Sequence, residues 1–112
     1  MLVKKNKYPL RKDKEFFSQA KRIDSPLFTI WFKTSNKQFQ SMVLVGKKVS
    51  KSAVVRNGIK RKMYKALSNE VGESPKLIVV FGVKKSILKA DDNQVILEIQ
   101  KSLQKCKKLL FS

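Results

Sequence analysis

The sequence contains no histidine and a single cysteine, so it lacks the side chains most often used as general bases and as zinc ligands. Its eight acidic residues are dispersed, and the adjacent pair Asp91 and Asp92 stands where a helix cap is expected. The four glycines form no phosphate-binding loop. We therefore expect no catalytic site, no metal site and no protein-bound cofactor, and we expect Cys106 to be a buried thiol.

Long hydrophobic runs are also missing. No apolar stretch approaches the roughly 20 residues that span a bilayer, and the start MLVKKNKYPL lacks the apolar segment of a secretion signal. A cytoplasmic protein is expected. The length of 112 residues and the 42% content of hydrophobic residues predict a single domain with an adequate core.

Acidic residues are too few to balance the basic ones. Lysine and arginine number 26 against 8 Asp and Glu, which gives a formal net charge of +18. Such an excess predicts an anionic partner, either nucleic acid or an anionic membrane surface. Membrane binding would require a helix with a free apolar face, and the apolar faces of this chain are expected to pack into the core. Nucleic acid is the favoured partner.

Periodicity and turn residues predict the order of elements. Residues 1–10 form a basic arm without periodicity, and residues 11–112 form the single domain. Within the domain we expect a short helix over 11–22, followed by strands over 27–34 and 39–46 that are joined as an antiparallel hairpin through a turn at 35–37. A helix over 52–67 and a break at 71–75 should come next. A central strand over 77–83 and a last helix capped by Asp91 or Asp92 should complete the domain.

These elements predict an α+β sandwich in the order helix, hairpin, helix, strand, helix. In the first strand Phe28, Ile30 and Phe32 share one face, and Leu27, Thr29 and Trp31 share the other. In the last helix a helical repeat predicts an apolar face, formed by Val95, Ile96, Ile99, Leu103, Cys106 and Leu110.

The segment Lys47–Leu67 combines cations with apolar residues in an informative order. Wound as a helix from Ser52, it gathers Val55, Ile59, Met63, Ala66 and Leu67 on one side. A neighbouring arc is expected to point outward and carries Arg56, Asn57, Lys60, Arg61 and Tyr64. Guanidinium and ammonium groups at this spacing suit phosphate oxygens, and an asparagine suits a sugar or base edge. The alternative is a solvated basic face without a ligand.

Two aromatic residues are further candidates for a nucleic-acid contact. Phe16 and Trp31 could stack on unpaired bases, since every base offers a π-face to an aromatic ring. The alternative is that both rings belong to the core.

The residues of the central segment resemble a family signature. Lys47-Lys48-Val49, Ala53-Val54-Val55-Arg56-Asn57 and Ile59-Lys60-Arg61 are similar in order and spacing to the signature of the protein subunit of bacterial ribonuclease P. The flanking elements resemble the family's layout over nearly the whole chain. The resemblance implies the ribonuclease P protein fold, which is ribosomal-protein-like and has a left-handed βαβ crossover.

The same resemblance implies a function and a set of site residues. The chain would bind ribonuclease P RNA and the 5′ leader of precursor tRNA and would assist 5′-end maturation as an accessory subunit, while the RNA cuts and the RNA partner brings Mg²⁺. No membrane and no obligate protein partner are implied. The RNA-binding candidates are Lys47, Lys48, Lys51, Arg56, Asn57, Lys60, Arg61 and Tyr64, and the leader-cleft candidates are Phe16 and Trp31. The rival hypothesis is a ribosomal or RNA-chaperone protein that binds structured RNA without serving a processing reaction.

The sequence departs from the family pattern at several positions. Gly58 stands where the family usually has arginine, Tyr64 where arginine is frequent, and Ala20 where a second cleft aromatic is common. We expect a divergent member with one basic contact fewer and a less aromatic leader cleft.

Overall fold

The computed structural model of the chain describes residues 14–34, 39–70 and 77–111. The predicted arm over 1–10, the turn at 35–37 and the helix break at 71–75 lie outside these residues. Seven helices and strands and one 3₁₀ helix are described: α1 (Phe16–Gln19), β1 (Lys21–Asp24), β2 (Phe28–Thr34), β3 (Gln40–Leu44), α2 (Ala53–Glu70), β4 (Leu77–Val83), the 3₁₀ helix Lys85–Lys89, and α3 (Asp92–Phe111).

The four strands form one sheet in the order β1-β2-β4-β3. Strand β2 is antiparallel to both β1 and β4, and β3 is parallel to β4. The predicted hairpin between β2 and β3 is therefore wrong, because β4 lies between them. The run LIVVFGV is buried on both faces over its first five residues, so it occupies the centre of the sheet, as predicted, and leaves the shorter β3 at the edge.

Strands β3 and β4 are joined through α2, which makes a parallel βαβ unit. The left-handed sense of this crossover, which the resemblance implies, stays a prediction.

The N-terminal part of the domain differs from the prediction. Helix α1 has only four residues, and the expected end of that helix is instead the strand β1. Its sequence KRID is mostly exposed and carries no strand-like alternation of apolar residues. Its extended conformation follows from pairing with β2, in the register Lys21↔Phe32 to Asp24↔Thr29.

The main core lies between the sheet and the two long helices. Strand β2 contributes Phe28, Ile30 and Phe32, as predicted, and β4 contributes alternate residues from Leu77 to Phe81. Helices α2 and α3 supply the other side of this core, through Ile59, Met63, Ala66, Leu67, Val95, Ile99, Leu103 and Cys106. Each fully buried large apolar side chain stabilises the fold by about 1.5–3 kcal/mol relative to exposure. Two expectations fail here: Leu27 joins this core, and Ile96 is 39% exposed.

The opposite face of the sheet carries a second, smaller apolar cluster. Phe16, Ile78 and Val80 are buried there, with Ala20, Trp31, Met42 and Leu44 packed against them. Because successive residues of β4 point to opposite faces, this one strand contributes to both clusters.

Helix α3 begins as predicted. The Asp91 carboxylate Oδ1 accepts a hydrogen bond from the Gln94 backbone N–H at 2.8 Å, which is an N-terminal cap. Cys106 is fully buried, and burial raises the pKa of its thiol to about 12. Among the described helices, none has both the length and the apolar character required to cross a membrane.

Candidate RNA interface

A tight turn presents the first two cations of the predicted interface. The Val49 backbone N–H donates to the Gly46 carbonyl at 3.1 Å, so Lys47 and Lys48 occupy the two central positions of the turn. Both lysines are exposed, whereas Val49 is buried in the main core. The buried valine therefore anchors the turn, and its apex carries two ammonium groups into solvent.

Serine side chains order the loop that follows. The Ser50 hydroxyl accepts a hydrogen bond from the Ser52 N–H at 3.2 Å. The Ser52 hydroxyl accepts from the Val55 N–H at 3.3 Å and so caps the N-terminus of α2. Lys51 lies between the two serines and is exposed.

Arg56 points back toward this loop. Its Nη1 atom donates to the Ser50 carbonyl at 2.9 Å and to the Lys51 carbonyl at 3.0 Å. The side chain is half-buried. The expectation that Arg56 points outward with the other cations is therefore wrong, because one terminal nitrogen of its guanidinium is committed to two backbone carbonyls.

Fewer residues of the predicted outward side of α2 are exposed than expected. Asn57 and Arg61 are exposed and stand one helical turn apart, and Lys65 continues the row. Lys60 is half-buried. Val55, expected on the buried side, is 40% exposed, because the first turn of α2 precedes the first buried position at Ile59.

Tyr64 does not belong to the exposed surface. It is only 7% exposed, and its hydroxyl accepts a hydrogen bond from the Val43 backbone N–H at 3.0 Å and donates to the Met42 Sδ at 3.5 Å. Because β3 lies at the edge of the sheet, none of the described strands pairs with its Val43 N–H on that side. Desolvation by burial raises the pKa of the tyrosine. The predicted outward position of Tyr64 is therefore wrong, while its predicted role in RNA binding stays a prediction.

The charge of the segment is strongly one-sided. Residues 47–68 contain eight lysine or arginine residues and no acidic residue. Lys62 forms an ion pair with Asp92 of α3, with Nζ 2.8 Å from Oδ1. Over the described ranges, no group of three or more His, Cys, Asp or Glu side chains could hold a metal ion. The turn, the loop and one side of α2 therefore form a cationic region. We call this region the basic surface. It consists of Lys47, Lys48, Lys51, Asn57, Lys60, Arg61 and Lys65.

Two aromatic rings of the second cluster, those of Phe16 and Trp31, make edge-to-face contacts with the ring of Phe17. The Phe17 ring centroid lies 5.1 Å from that of Trp31 and 5.3 Å from that of Phe16. Phe16 is fully buried, Trp31 is half-buried and Phe17 is 47% exposed. Of the two predicted cleft residues, Phe16 thus lies beneath the surface. Sequence reasoning missed Phe17, which points about 100° away from Phe16 around the short helix and so lies nearer the surface.

Cations border these rings. The Arg22 guanidinium carbon lies 6.0 Å from the Trp31 ring centroid, and the Lys33 Nζ lies 5.3 Å from the Phe16 ring centroid. The Lys33 ammonium also donates to the Gln19 Oε1 at 3.1 Å. Exposed aromatic surface with cations at its border is the combination that single-stranded nucleic acid requires. We call Phe17 and Trp31, with Arg22 and Lys33, the aromatic surface.

Comparison with known proteins decides the family. A sequence model of the Ribonuclease P family matches residues 4–107. The chain belongs to the ribonuclease P protein family. This finding confirms the family that the Lys47–Arg61 signature predicted.

Solved ribonuclease P proteins share the fold. The RNase P protein from Thermotoga maritima superposes with a TM-score of 0.79 at 21% sequence identity, over 88% of this chain and 96% of that chain. The RNase P protein from Staphylococcus aureus superposes with a TM-score of 0.78 at 16% identity, over 90% of this chain and 93% of that chain. At these identities the structures support the fold alone, and they confirm the predicted α+β class. No curated protein matches the chain with significant similarity.

Gly58 is one position where the chain departs from the expected family signature. It lies on the exposed side of α2, and a Cβ built there meets nothing within 4 Å. No packing requirement therefore explains the glycine, and a larger side chain fits.

Proposed function

We propose that the chain is the protein subunit of a ribonuclease P ribonucleoprotein, where it binds the catalytic RNA and the 5′ leader of precursor tRNA and assists 5′-end maturation in the cytoplasm. The observation that carries the proposal is the basic surface, which displays cations without an acidic neighbour in sequence, in a chain of this family. In this proposal the RNA partner carries out the cleavage.

The basic surface suits an RNA backbone. Its turn carries Lys47 and Lys48, and one exposed row of α2 carries Asn57 and Arg61. Ammonium and guanidinium groups bind phosphate oxygens, which fixes the orientation of the protein on the RNA, while the asparagine can bind a sugar or base edge. Each neutralised phosphate contributes roughly 0.7–0.9 to the slope of log K against log salt, so binding should weaken steeply as salt rises.

The aromatic surface suits the single-stranded leader. Phe17 and Trp31 offer ring surface to unpaired bases, and the neighbouring cations Arg22 and Lys33 would bind the backbone phosphates of such a strand. In this assignment Phe17, rather than the buried Phe16, makes the stacking contact. Phe16 instead supports the rings from below.

The role of Mg²⁺ is assigned to the RNA partner. The protein contributes cations that neutralise phosphates where RNA strands approach each other, and this lowers the concentration of Mg²⁺ that the folded RNA requires.

Reconstitution tests the proposal. The purified chain is titrated into its cognate ribonuclease P RNA, and leader cleavage of a precursor tRNA is followed over a range of Mg²⁺ concentrations. We expect specific binding and cleavage at a lower Mg²⁺ concentration than RNA alone requires. Binding to structured RNAs in general, without any gain in cleavage, would support the ribosomal or RNA-chaperone hypothesis instead.

A further inference from the structure

Arg56 stands at the centre of the family signature, yet its hydrogen bonds go to the protein backbone. We propose that Arg56 is a positioning residue: it fastens the loop over 50–52 to helix α2 and so holds the Lys47, Lys48 and Lys51 ammonium groups in register with Arg61. The contacts described above support the claim that Arg56 fastens the loop to α2. The claim that this fastening affects RNA binding rests on the proposed function.

The geometry of the contact favours this role. A single nitrogen, Nη1, donates to two successive carbonyls at 2.9 and 3.0 Å, and these distances are typical of well-formed N–H···O hydrogen bonds. The donor is charged, which strengthens both bonds, and the bond to the Ser50 carbonyl is partly buried, which limits competition from water there.

The loop depends on this contact for the satisfaction of its carbonyls. The turn before it is anchored by the buried Val49, and the helix after it begins at Ala53. Between these points the serine hydroxyls accept hydrogen bonds from the Ser52 and Val55 N–H groups. The Ser50 and Lys51 carbonyls accept from Arg56 instead. Without the guanidinium, the segment would keep its two ends and its serine hydrogen bonds but lose both hydrogen bonds that tie the Ser50 and Lys51 carbonyls to the Arg56 side chain.

A defined path matters because binding is weakened by the entropy of ordering the bound groups. Lys47, Lys48 and Lys51 lie before α2, whereas Asn57 and Arg61 lie on it. One continuous RNA backbone can contact both sets only when the loop keeps a fixed position relative to the helix. The Arg56 side chain extends from α2 to the carbonyls of Ser50 and Lys51 and so joins the two.

The first experiment needs no RNA. Hydrogen–deuterium exchange of the segment 50–55 is measured in the free protein for wild type, Arg56→Met, Arg56→Lys and the control Arg61→Met. Methionine keeps much of the apolar length and cannot donate a hydrogen bond, and lysine restores a donor. We expect exchange to rise in Arg56→Met, to recover in part in Arg56→Lys and to stay unchanged in Arg61→Met. Unchanged exchange in Arg56→Met overturns the proposal, whatever RNA binding shows.

The second experiment is a double-mutant cycle on affinity for the ribonuclease P RNA. We expect Arg56→Met and Lys48→Ala each to raise Kd about tenfold, the order expected for one charge-assisted contact. If Lys48 contacts the RNA only when Arg56 holds the loop, the two changes remove the same contribution to binding. The Kd of the double variant Arg56→Met with Lys48→Ala should then rise by much less than the roughly hundredfold expected for independent changes. In the control pair, Arg56→Met with Arg61→Met, the increase in Kd should be close to the product of the increases caused by the two single changes.

The outcomes separate the two hypotheses. Multiplicative effects in both cycles would mean that Arg56 contacts the RNA independently, which overturns the positioning role. Wild-type protein that fails to bind the RNA refutes the proposed function, and with it the effect of Arg56 on RNA, while the exchange measurement still decides whether Arg56 fastens the loop. Thermal unfolding of each variant confirms that it is folded before either comparison is made.

Discussion

The backbone N–H of Val43 on the edge strand β3 donates a hydrogen bond of 3.0 Å to the hydroxyl of Tyr64 on helix α2. Edge strands carry unpaired backbone groups that invite pairing with other chains. Here the side chain of Tyr64 accepts a hydrogen bond from one of these groups. The family signature often has arginine at this position, whereas the tyrosine of this chain stabilises the fold.

Removal of this hydroxyl should lower stability without affecting the basic surface. In Tyr64→Phe the buried Val43 N–H loses its acceptor, and we expect a loss of about 1–3 kcal/mol in the free energy of unfolding, measured by urea denaturation. RNA affinity of the folded variant should stay at the wild-type value. A variant of wild-type stability with weakened RNA binding would contradict the structural role of Tyr64.

Two glycine-to-alanine changes should have opposite effects on stability. At Gly58 the added methyl group meets nothing within 4 Å, so the change should stabilise the exposed helix by about 0.5–1 kcal/mol. At Gly82 a Cβ would lie 2.8 Å from the Trp31 Cζ3 atom, and the ring would have to move. We therefore expect Gly82→Ala to be destabilising. Thermal unfolding of wild type and the two variants measures the change in Tm for each substitution. A change in Tm of the same sign in both variants would refute this account of the packing.

Restoring arginine at Gly58 should strengthen RNA binding. The position is exposed beside Asn57 and one helical turn from Arg61 and Lys62, so a guanidinium there would extend the basic surface. For Gly58→Arg we expect tighter binding and an increase of roughly 0.7–0.9 in the salt slope if one more phosphate is contacted. Gly58→Gln controls for side-chain length and helix propensity. Equal gains from glutamine and arginine would mean that the added charge makes no RNA contact.

The adjacent residues Phe16 and Phe17 should separate stability from leader binding. Phe16 is fully buried, and Phe16→Ala should cost about 3–5 kcal/mol of stability. Phe17 is 47% exposed, so Phe17→Ala should leave most of the stability and weaken binding of a single-stranded leader by about 1–3 kcal/mol, the range for one lost base–aromatic stack. Fluorescence titration with precursor tRNAs that carry or lack the leader measures this effect, and an equal loss on both RNAs would argue against a leader contact.

The buried Cys106 thiol should make stability depend on alkaline pH. Burial raises its pKa in the folded protein to about 12 from an ordinary value of 9.0, so folding favours the protonated thiol. Its contribution is therefore fully present below pH 9.0 and falls as the pH rises from there toward about 12, by up to about 1.4 kcal/mol per pH unit. The difference in unfolding free energy between wild type and Cys106→Val isolates this effect from other groups. A difference that stays constant across this range would contradict it.

Sequence patterns predicted the elements whose signals are local. The continuous apolar run predicted the bounds of β4 at 77–83, and the cap expected at Asp91 or Asp92 is provided by Asp91. The spacing of Ile59, Met63 and Leu67 predicted the buried side of α2, although the helix extends three residues beyond the predicted end. In each case the residues that determine the structure lie within a few positions of one another.

The errors arose where a distant partner decides the structure. Strand β1 is polar and owes its conformation to β2, and β3 pairs with β4 although β2 is nearer in the sequence. Helical periodicity placed Tyr64 beside exposed residues and could not reveal the Val43 N–H, 21 positions away. The hydrogen bonds of Arg56 likewise depend on the conformation of a loop, which residue spacing does not encode.

The alternation of β4 has a consequence for any RNA that uses both surfaces. Val79 and Phe81 support the layer that contains α2, while Ile78 and Val80 lie beneath the aromatic rings on the other side of the sheet. The basic surface and the aromatic surface are thus built on the two sides of one strand. In the proposed ribonucleoprotein, the thickness of the sheet and of the α2 layer would therefore separate the leader from the RNA strand bound to α2.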